Sequence, residues 1–202
     1  PNIKTTTTTT RALKSVFDTV DAKLTPSVDR EGVKADADHP IVCITVKNVG
    51  KITLQLDGTQ APITVANFIS LIEDGFYNGL TFHRIIDTFM IQGGDPMGNG
   101  MGGSDENIKG EFAMNGVMNT LSHTRGVISM ARSQNPNSAS SQFFICYGDC
   151  TFLDGQYAAF GKVIEGMETV DDFLKIDRRM SFGGERSTPV EPIVMKTVEV
   201  IE

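Results

Sequence analysis

From Pro40 to the C-terminus, apolar and polar residues alternate in short runs separated by glycine-rich breaks. A period of two is the repeat of a strand with one buried face. Eight such runs stand out, at 41–46, 51–56, 81–86, 89–92, 127–131, 142–147, 157–163 and 193–201. Eight short strands joined by glycine-rich turns predict a barrel or a sandwich. The repeat changes to helical spacing after Pro62, where Val65, Phe68, Ile69 and Ile72 share one stripe and Gly75 is the C-terminal stop. A weaker helical stretch runs from 168 to about 176.

Residues 1–39 follow a different pattern and read as an N-terminal extension to a folded domain at 40–202. A run of six threonines, Thr5 to Thr10, precedes a polar segment that ends at Asp36, Asp38 and Pro40. Within it Leu13, Val16, Phe17, Val20 and Leu24 fall at helical spacing, with Thr10 as cap and Pro26 as stop, which predicts a short amphipathic helix over about 11–24. Docking on its own barrel, disorder and partner binding all remain open for this segment.

The segment FHRIIDTFMIQGGDP (82–96) sets Arg84 among aromatic and aliphatic residues, where a charge needs a reason. At strand period Met90 and Gln92 share a face, so an apolar contact and an amide lie side by side, a few residues from Arg84. SSQFFI (140–145) repeats the device with Gln142 and Phe144 on one face and Phe143 and Ile145 on the other. The combination suits an apolar ligand with a polar backbone. Plainer readings exist for each residue. Arg84 can pair with a carboxylate such as Asp87 or Asp95; Gln92 and Gln142 can be strand-end amides; Phe89, Met90, Phe144, Phe152 and Leu153 can be core. His83 reads as a hydrogen-bonded core histidine, facing away from Arg84.

With HTRGVISMAR (123–132) and FLDGQYAAFGKV (152–163), these stretches resemble the cyclophilin family of peptidyl-prolyl isomerases, from about Pro40 to the C-terminus. The resemblance implies a mainly β fold, a closed eight-stranded antiparallel barrel capped by two α-helices. It implies peptidyl-prolyl cis-trans isomerase activity on proline-containing peptides and unfolded proteins, assisting folding. Arg84 and Gln92 then take the catalytic positions, and Phe89, Met90, Phe144, Phe152 and Leu153 form the wall and floor of a proline pocket. Ala131 and Arg132 become the edge offered to the substrate backbone, with Gln142 and Tyr157 completing the substrate-binding set. This chain departs from the commonest pattern at Phe152, where many relatives have tryptophan, at Tyr157, where many have histidine, and at Arg132, where many have asparagine. An aromatic wall survives, so turnover is expected to persist, while affinity for cyclosporin-type ligands that use the indole is expected to weaken. The rival readings are a non-enzymatic proline-peptide binder or chaperone on the same fold, and a structural subunit docked through the N-terminal helix.

Rotation about a prolyl bond makes and breaks no covalent bond, so no cofactor, nucleophile or metal is expected. Cys43, Cys146, Cys150 and the three histidines lack zinc-like spacing. No serine or cysteine occupies an elbow beside a plausible base. GNGMGG, at 98–103, matches G-x-G-x-x-G formally, but Ser104, Asp105, Glu106 and Asn107, then Lys109 and Gly110, form no apolar helical stripe after it, and it reads as a flexible surface loop. The wider span 93–126 has little regular pattern and is expected to wall part of the groove. A formal net charge of -7 without a basic cluster argues against a nucleic-acid partner. No run reaches the roughly 18 apolar residues of a membrane span. Three cysteines favour a reducing, cytoplasmic setting, although the chain starts at Pro1 and an exported form stays open. A monomer is expected.

Overall fold

The computed structural model describes residues 35–202, so the helix expected over about 11–24 lies outside the described residues. The strands are β1 (Ile41–Val46), β2 (Gly50–Leu56), β3 (Thr81–Ile86), β4 (Met90–Asp95), β5 (Val127–Met130), β6 (Phe143–Cys146), β7 (Ala159–Glu165), β8 (Arg178–Met180), β9 (Arg186–Pro189) and β10 (Ile193–Val200). Eight of them close into an antiparallel barrel in the order β1-β10-β3-β4-β6-β5-β7-β2.

Alternation sorts each strand between two environments. Val42, Ile44, Ile52, Leu54, Ile128, Met130, Phe143 and Ile145 point into one buried core that fills the barrel. On the outer side of β4 and β6, Met90, Phe144 and Cys146 join Cys150 and Leu153 in a second apolar cluster, with Phe89, Ala131 and Tyr157 packed against it. The interior is therefore occupied by the protein's own side chains, and the second cluster lies on the outside of the wall.

Helix α1 (Pro62–Glu73) lays the expected stripe on the core, with Phe68 ring centroids 5.1–5.5 Å from those of Tyr77, Phe143 and Phe160. Its N-terminus has no side-chain cap of its own, because Ala61 precedes Pro62. The buried carboxylate of Glu111 fills that role, accepting the amides of Ile63 at 3.0 Å and Thr64 at 2.8 Å and the Thr64 hydroxyl at 2.7 Å. Gly75, at φ +70°, ends the helix as expected: Phe76 N–H donates to Leu71 O and Gly75 N–H to Ile72 O. Helix α2 (Met167–Asp172) and the 3-10 turn after it send Val170 and Phe173 into the same core.

Three findings correct the sequence reading. β8 and β9 form a separate two-stranded ribbon in a stretch where the sequence predicts no strand, because strands carrying Arg178, Arg179, Arg186 and Pro189 show no apolar stripe. His83 is not a hydrogen-bonded core histidine. Phe82 pairs with Gly93 and Arg84 with Gln92, so His83 is the extra residue of a β-bulge, and both ring nitrogens are buried without a partner. The glycines at 98–103 form a folded rather than a loose loop. The Asp95 carboxylate accepts the amides of Met97 (2.8 Å), Asn99 (3.0 Å) and Gly100 (2.6 Å), with Gly98 and Gly100 at positive φ. Burial pushes the Asp95 carboxyl up, but these amides and that of Gly102 outweigh it and hold it below the ordinary value. The amides that a dinucleotide phosphate would need are thus occupied by an internal acid.

Candidate functional site

The bulge at His83 decides where Arg84 points. It keeps Phe82 and Ile85 both in the core while turning Arg84 to the outer face, directly across from Gln92. On that face Met90 and Gln92 follow alternation on β4, and Phe144 follows it on β6. Phe89 joins them from the tight turn between β3 and β4, where Thr88 has φ +62°. Leu153 arrives from the 3-10 turn Thr151–Leu153.

These residues enclose a hollow of about 140 Å³ lined by Arg84, Phe89, Met90, Gln92, Ala131, Arg132, Phe144, Leu153 and Tyr157. A cavity of roughly 150 Å³ holds one benzene ring, so the space admits a single small ring. Met90, Phe144 and Leu153 are buried at its base. A second hollow adjoins it, sharing Gln92, Ala131 and Arg132 and continuing over Gly100, Met101, Gly102 and Gln142. The 93–126 segment does wall part of the groove through these loop residues.

The polar side is a directed chain. Arg84 donates Nε–H to Glu185 Oε1 and Nη2–H to Glu185 Oε2, both at 2.9 Å, and Nη1–H to Gln92 Oε1 at 3.1 Å. Gln92 Nε2 donates to Gln142 Oε1 at 2.9 Å, and Gln142 Nε2 to Gly102 O at 2.7 Å. Arginine can only donate, so it fixes which end of Gln92 faces it, and that orientation propagates to Gln142. The Arg84 bonds hold the Glu185 carboxyl below the ordinary carboxylate range, against the opposing effect of burial. Three of five guanidinium donors are engaged, which leaves one on each Nη.

Among the described residues no cluster of three or more His, Cys, Asp or Glu side chains converges to hold a metal, and no helix is long and apolar enough to cross a membrane.

A family model described as cyclophilin type peptidyl-prolyl cis-trans isomerase/CLD matches residues 41–200. The chain belongs to the cyclophilin-type peptidyl-prolyl cis-trans isomerases. The peptidyl-prolyl cis-trans isomerase of Acinetobacter baylyi is 40% identical over 162 residues, covering 76% of this chain and 81% of its own. That of Helicobacter pylori strain J99 is 48% identical over 136 residues, covering 66% and 81%. A crystal structure of a cyclophilin type isomerase from Cryptosporidium parvum superposes with a TM-score of 0.71 at 32% identity, covering 80% of this chain and 97% of that one. The same protein crystallised in the presence of the dipeptide Ala-Pro gives a TM-score of 0.70 at 33% identity, covering 79% and 98%.

Nine of the eleven residues singled out from this cyclophilin's sequence line the hollow. Gln142 lines the adjoining one and is tied to Gln92. Phe152 does not line the hollow: it stands at the rim, 64% exposed, with its ring 5.6 Å from that of Phe89. The Arg132 side chain proves to be a brace. Its Nε and Nη2 donate to Gln156 O at 3.0 and 2.8 Å and its Nη1 to Ser133 O at 2.8 Å, while the guanidinium lies over the rings of Tyr157 and Phe112 at 4.6 and 5.1 Å.

Sequence reasoning missed two groups. One is Glu185, which lies 101 residues from Arg84 in a segment with no strand pattern. The need of an arginine set among apolar residues for a carboxylate was a usable signal, but Asp87 is held by Arg178 at 2.5 Å and Asp95 by the loop amides. The other is buried His123, stacked on Phe144 at 6.1 Å. Its Nδ1–H donates to Asp154 Oδ1 at 2.7 Å, which leaves Nε2 to accept from Ser129 at 2.9 Å. Burial pulls the His123 pKa below the ordinary value, with Asp154 opposing. Ser129 is wholly buried, so this Ser-His-Asp line supports the pocket floor and offers no nucleophile. The signal for it was the histidine and aspartate inside HTRGVISMAR and FLDG.

Proposed function

We propose that this isomerase turns X-Pro bonds by holding the prolyl ring in the 140 Å³ hollow while Arg84 donates to the prolyl nitrogen. Rotation must overcome an intrinsic barrier of roughly 18–20 kcal/mol set by amide resonance. At the twisted point the nitrogen becomes pyramidal and gains a lone pair, so a donor aimed there binds the transition state more strongly than either planar isomer. Planar amides carry more charge separation than twisted ones, so the dry wall of Met90, Phe144 and Leu153 also favours the twist. Raising a rate near 10⁻² per second to about 10²–10³ per second needs roughly 5–7 kcal/mol. One charge-assisted hydrogen bond at about 1.5–3 kcal/mol supplies part of that; desolvation, together with Gln92 holding the flanking carbonyl, supplies the rest.

The observation that carries this reading is the Arg84 guanidinium on the wall of a ring-sized apolar hollow, with one donor on each Nη still unengaged. The substrates are exposed X-Pro segments of unfolded chains, with Ala131 and Arg132 presenting backbone to them. Cyclosporin-type ligands bind weakly, because Phe152 lacks an indole N–H. Three buried free thiols support a reducing, cytoplasmic setting. The test is exchange spectroscopy on an Ala-Pro peptide, the dipeptide used with the Cryptosporidium parvum relative. Wild-type protein should accelerate exchange. Arg84→Ala should lower kcat by roughly 10²–10³-fold while peptide binding persists; an Arg84→Ala protein with near-normal turnover moves the role to another residue.

A further inference from the structure

We infer that Glu185 is a positioning residue for the isomerase reaction, which aims Arg84 into the hollow; this rests on the role proposed for Arg84. A carboxylate taking both Nε–H and Nη2–H at 2.9 Å fixes the plane of the guanidinium as well as its place. With that edge held, the Nη1 edge faces Gln92 and the pocket. The hold comes from an element braced for it. Glu185 follows Gly184 (φ +79°) in the turn joining β8 to β9, and its own backbone closes the turn, with Ser181 N–H donating to Glu185 O at 2.7 Å. The ribbon is pinned to the β3–β4 hairpin by Arg178, whose side chain is 14% exposed and bonds Asp87 at 2.5 Å. Arg186 Nε in turn donates to Arg178 O at 3.0 Å. Without Glu185 the arginine keeps a single contact with Gln92 and sweeps over the rim. The carboxylate also offsets part of the positive charge, which acts against catalysis. Aim outweighs that loss, since a displacement of about 1 Å from the productive geometry can cost ~10²-fold in rate.

Glu185→Ala and Glu185→Gln are measured in the wild-type and Arg84→Ala backgrounds by exchange spectroscopy on an Ala-Pro peptide. Glu185→Ala should lower kcat about tenfold in the wild-type background with KM within twofold, and should change nothing in the Arg84→Ala background. Glu185→Gln, which keeps one acceptor oxygen, should lose less. Sodium acetate, but not chloride at equal ionic strength, should restore part of the Glu185→Ala rate, which an unfolded ribbon would not allow. Equal losses in both backgrounds, or no loss in the wild-type background, overturn the proposal. An independent readout is the Arg84 Nε–H resonance of the wild-type protein. It should exchange slowly for a guanidinium at pH 7, and Glu185→Ala should speed that exchange at the same pH; fast exchange in the wild-type protein, or no change in Glu185→Ala, also overturns the clamp. If Arg84→Ala leaves turnover intact while Nε–H is protected, the catalytic role of Arg84 is what fails, and the ion pair remains as a structural one.

Discussion

Replacing Arg84 with lysine separates charge from geometry. Lysine keeps the positive charge but offers a compact ammonium in place of a planar fork. The wild-type side chain bonds both oxygens of Glu185 and the oxygen of Gln92 and still has a donor on each Nη. An ammonium that follows Glu185 gives up Gln92 and the pocket, and one that follows Gln92 gives up Glu185. The transition-state bond is then lost or bent, which at about 1.5–3 kcal/mol for a charge-assisted bond corresponds to roughly 10–150-fold in kcat. Stability should barely respond. Both partners of the ion pair are 38% exposed, exposed pairs contribute at most about 1 kcal/mol, and lysine retains half of this one. For a domain of this size that is a Tm change of no more than about 2–4 °C. KM should stay within twofold, because the apolar wall that holds the ring is untouched. Exchange spectroscopy on the Ala-Pro peptide gives kcat and KM, and urea unfolding followed by circular dichroism gives stability. A lysine variant with kcat within twofold of wild type would show that a point charge suffices and that the fork has no catalytic part. A slow variant that also loses several kcal/mol of stability would place the effect in the fold.

Three further outcomes are expected. Thr88 is a β-branched residue at φ +62°, a conformation costing about 1–2 kcal/mol, so Thr88→Gly should raise Tm by roughly 2 °C after glycine's own entropy of about 0.5–1 kcal/mol is deducted; an unchanged or lower Tm in thermal unfolding refutes the strain. Burial depresses the folded pKa of His123, and of His83, below the ordinary 6.5, so their contribution is present above pH 6.5 and is lost as pH falls towards the folded values, by at most about 1.4 kcal/mol per pH unit for each histidine. Urea midpoints should therefore decline from pH 7 to 5.5, and His123→Gln should flatten that decline; an unchanged slope removes His123 as a source. Phe152→Trp restores an indole N–H at the rim and should tighten a cyclosporin-type ligand by roughly 2–10-fold, one neutral hydrogen bond, with kcat within twofold; calorimetric titration showing no gain would mean that Phe152 does not face that ligand.

The apolar half of the site was legible because it shares its code with the fold. Once alternation puts Phe143 and Ile145 inside the barrel, Phe144 and Cys146 must point outward. Apolar side chains on an outer wall need cover, and the turn carrying Cys150 and Leu153 supplies it only in part. The hollow is the place where that cover stops, which is why its lining could be read from the periods of β4 and β6. In the polar half Gln92 and Gln142 follow the same alternation, but Arg84 and its carboxylate do not. Arg84 points into the hollow because of one extra residue, His83, and a bulge is invisible to a count of apolar positions. Its carboxylate comes from a ribbon of three- and four-residue strands held by arginine contacts rather than an apolar stripe. The two candidates nearest in sequence, Asp87 and Asp95, are engaged by Arg178 and by the amides of the 98–103 loop. The consequence bears on variation within this architecture. Substitutions on the apolar lining act through ring affinity and core stability together, since Phe144 and Met90 belong to both. Those on the β8–β9 ribbon can retune the arginine's aim with little effect on the barrel, because its contact with the site is one half-exposed ion pair.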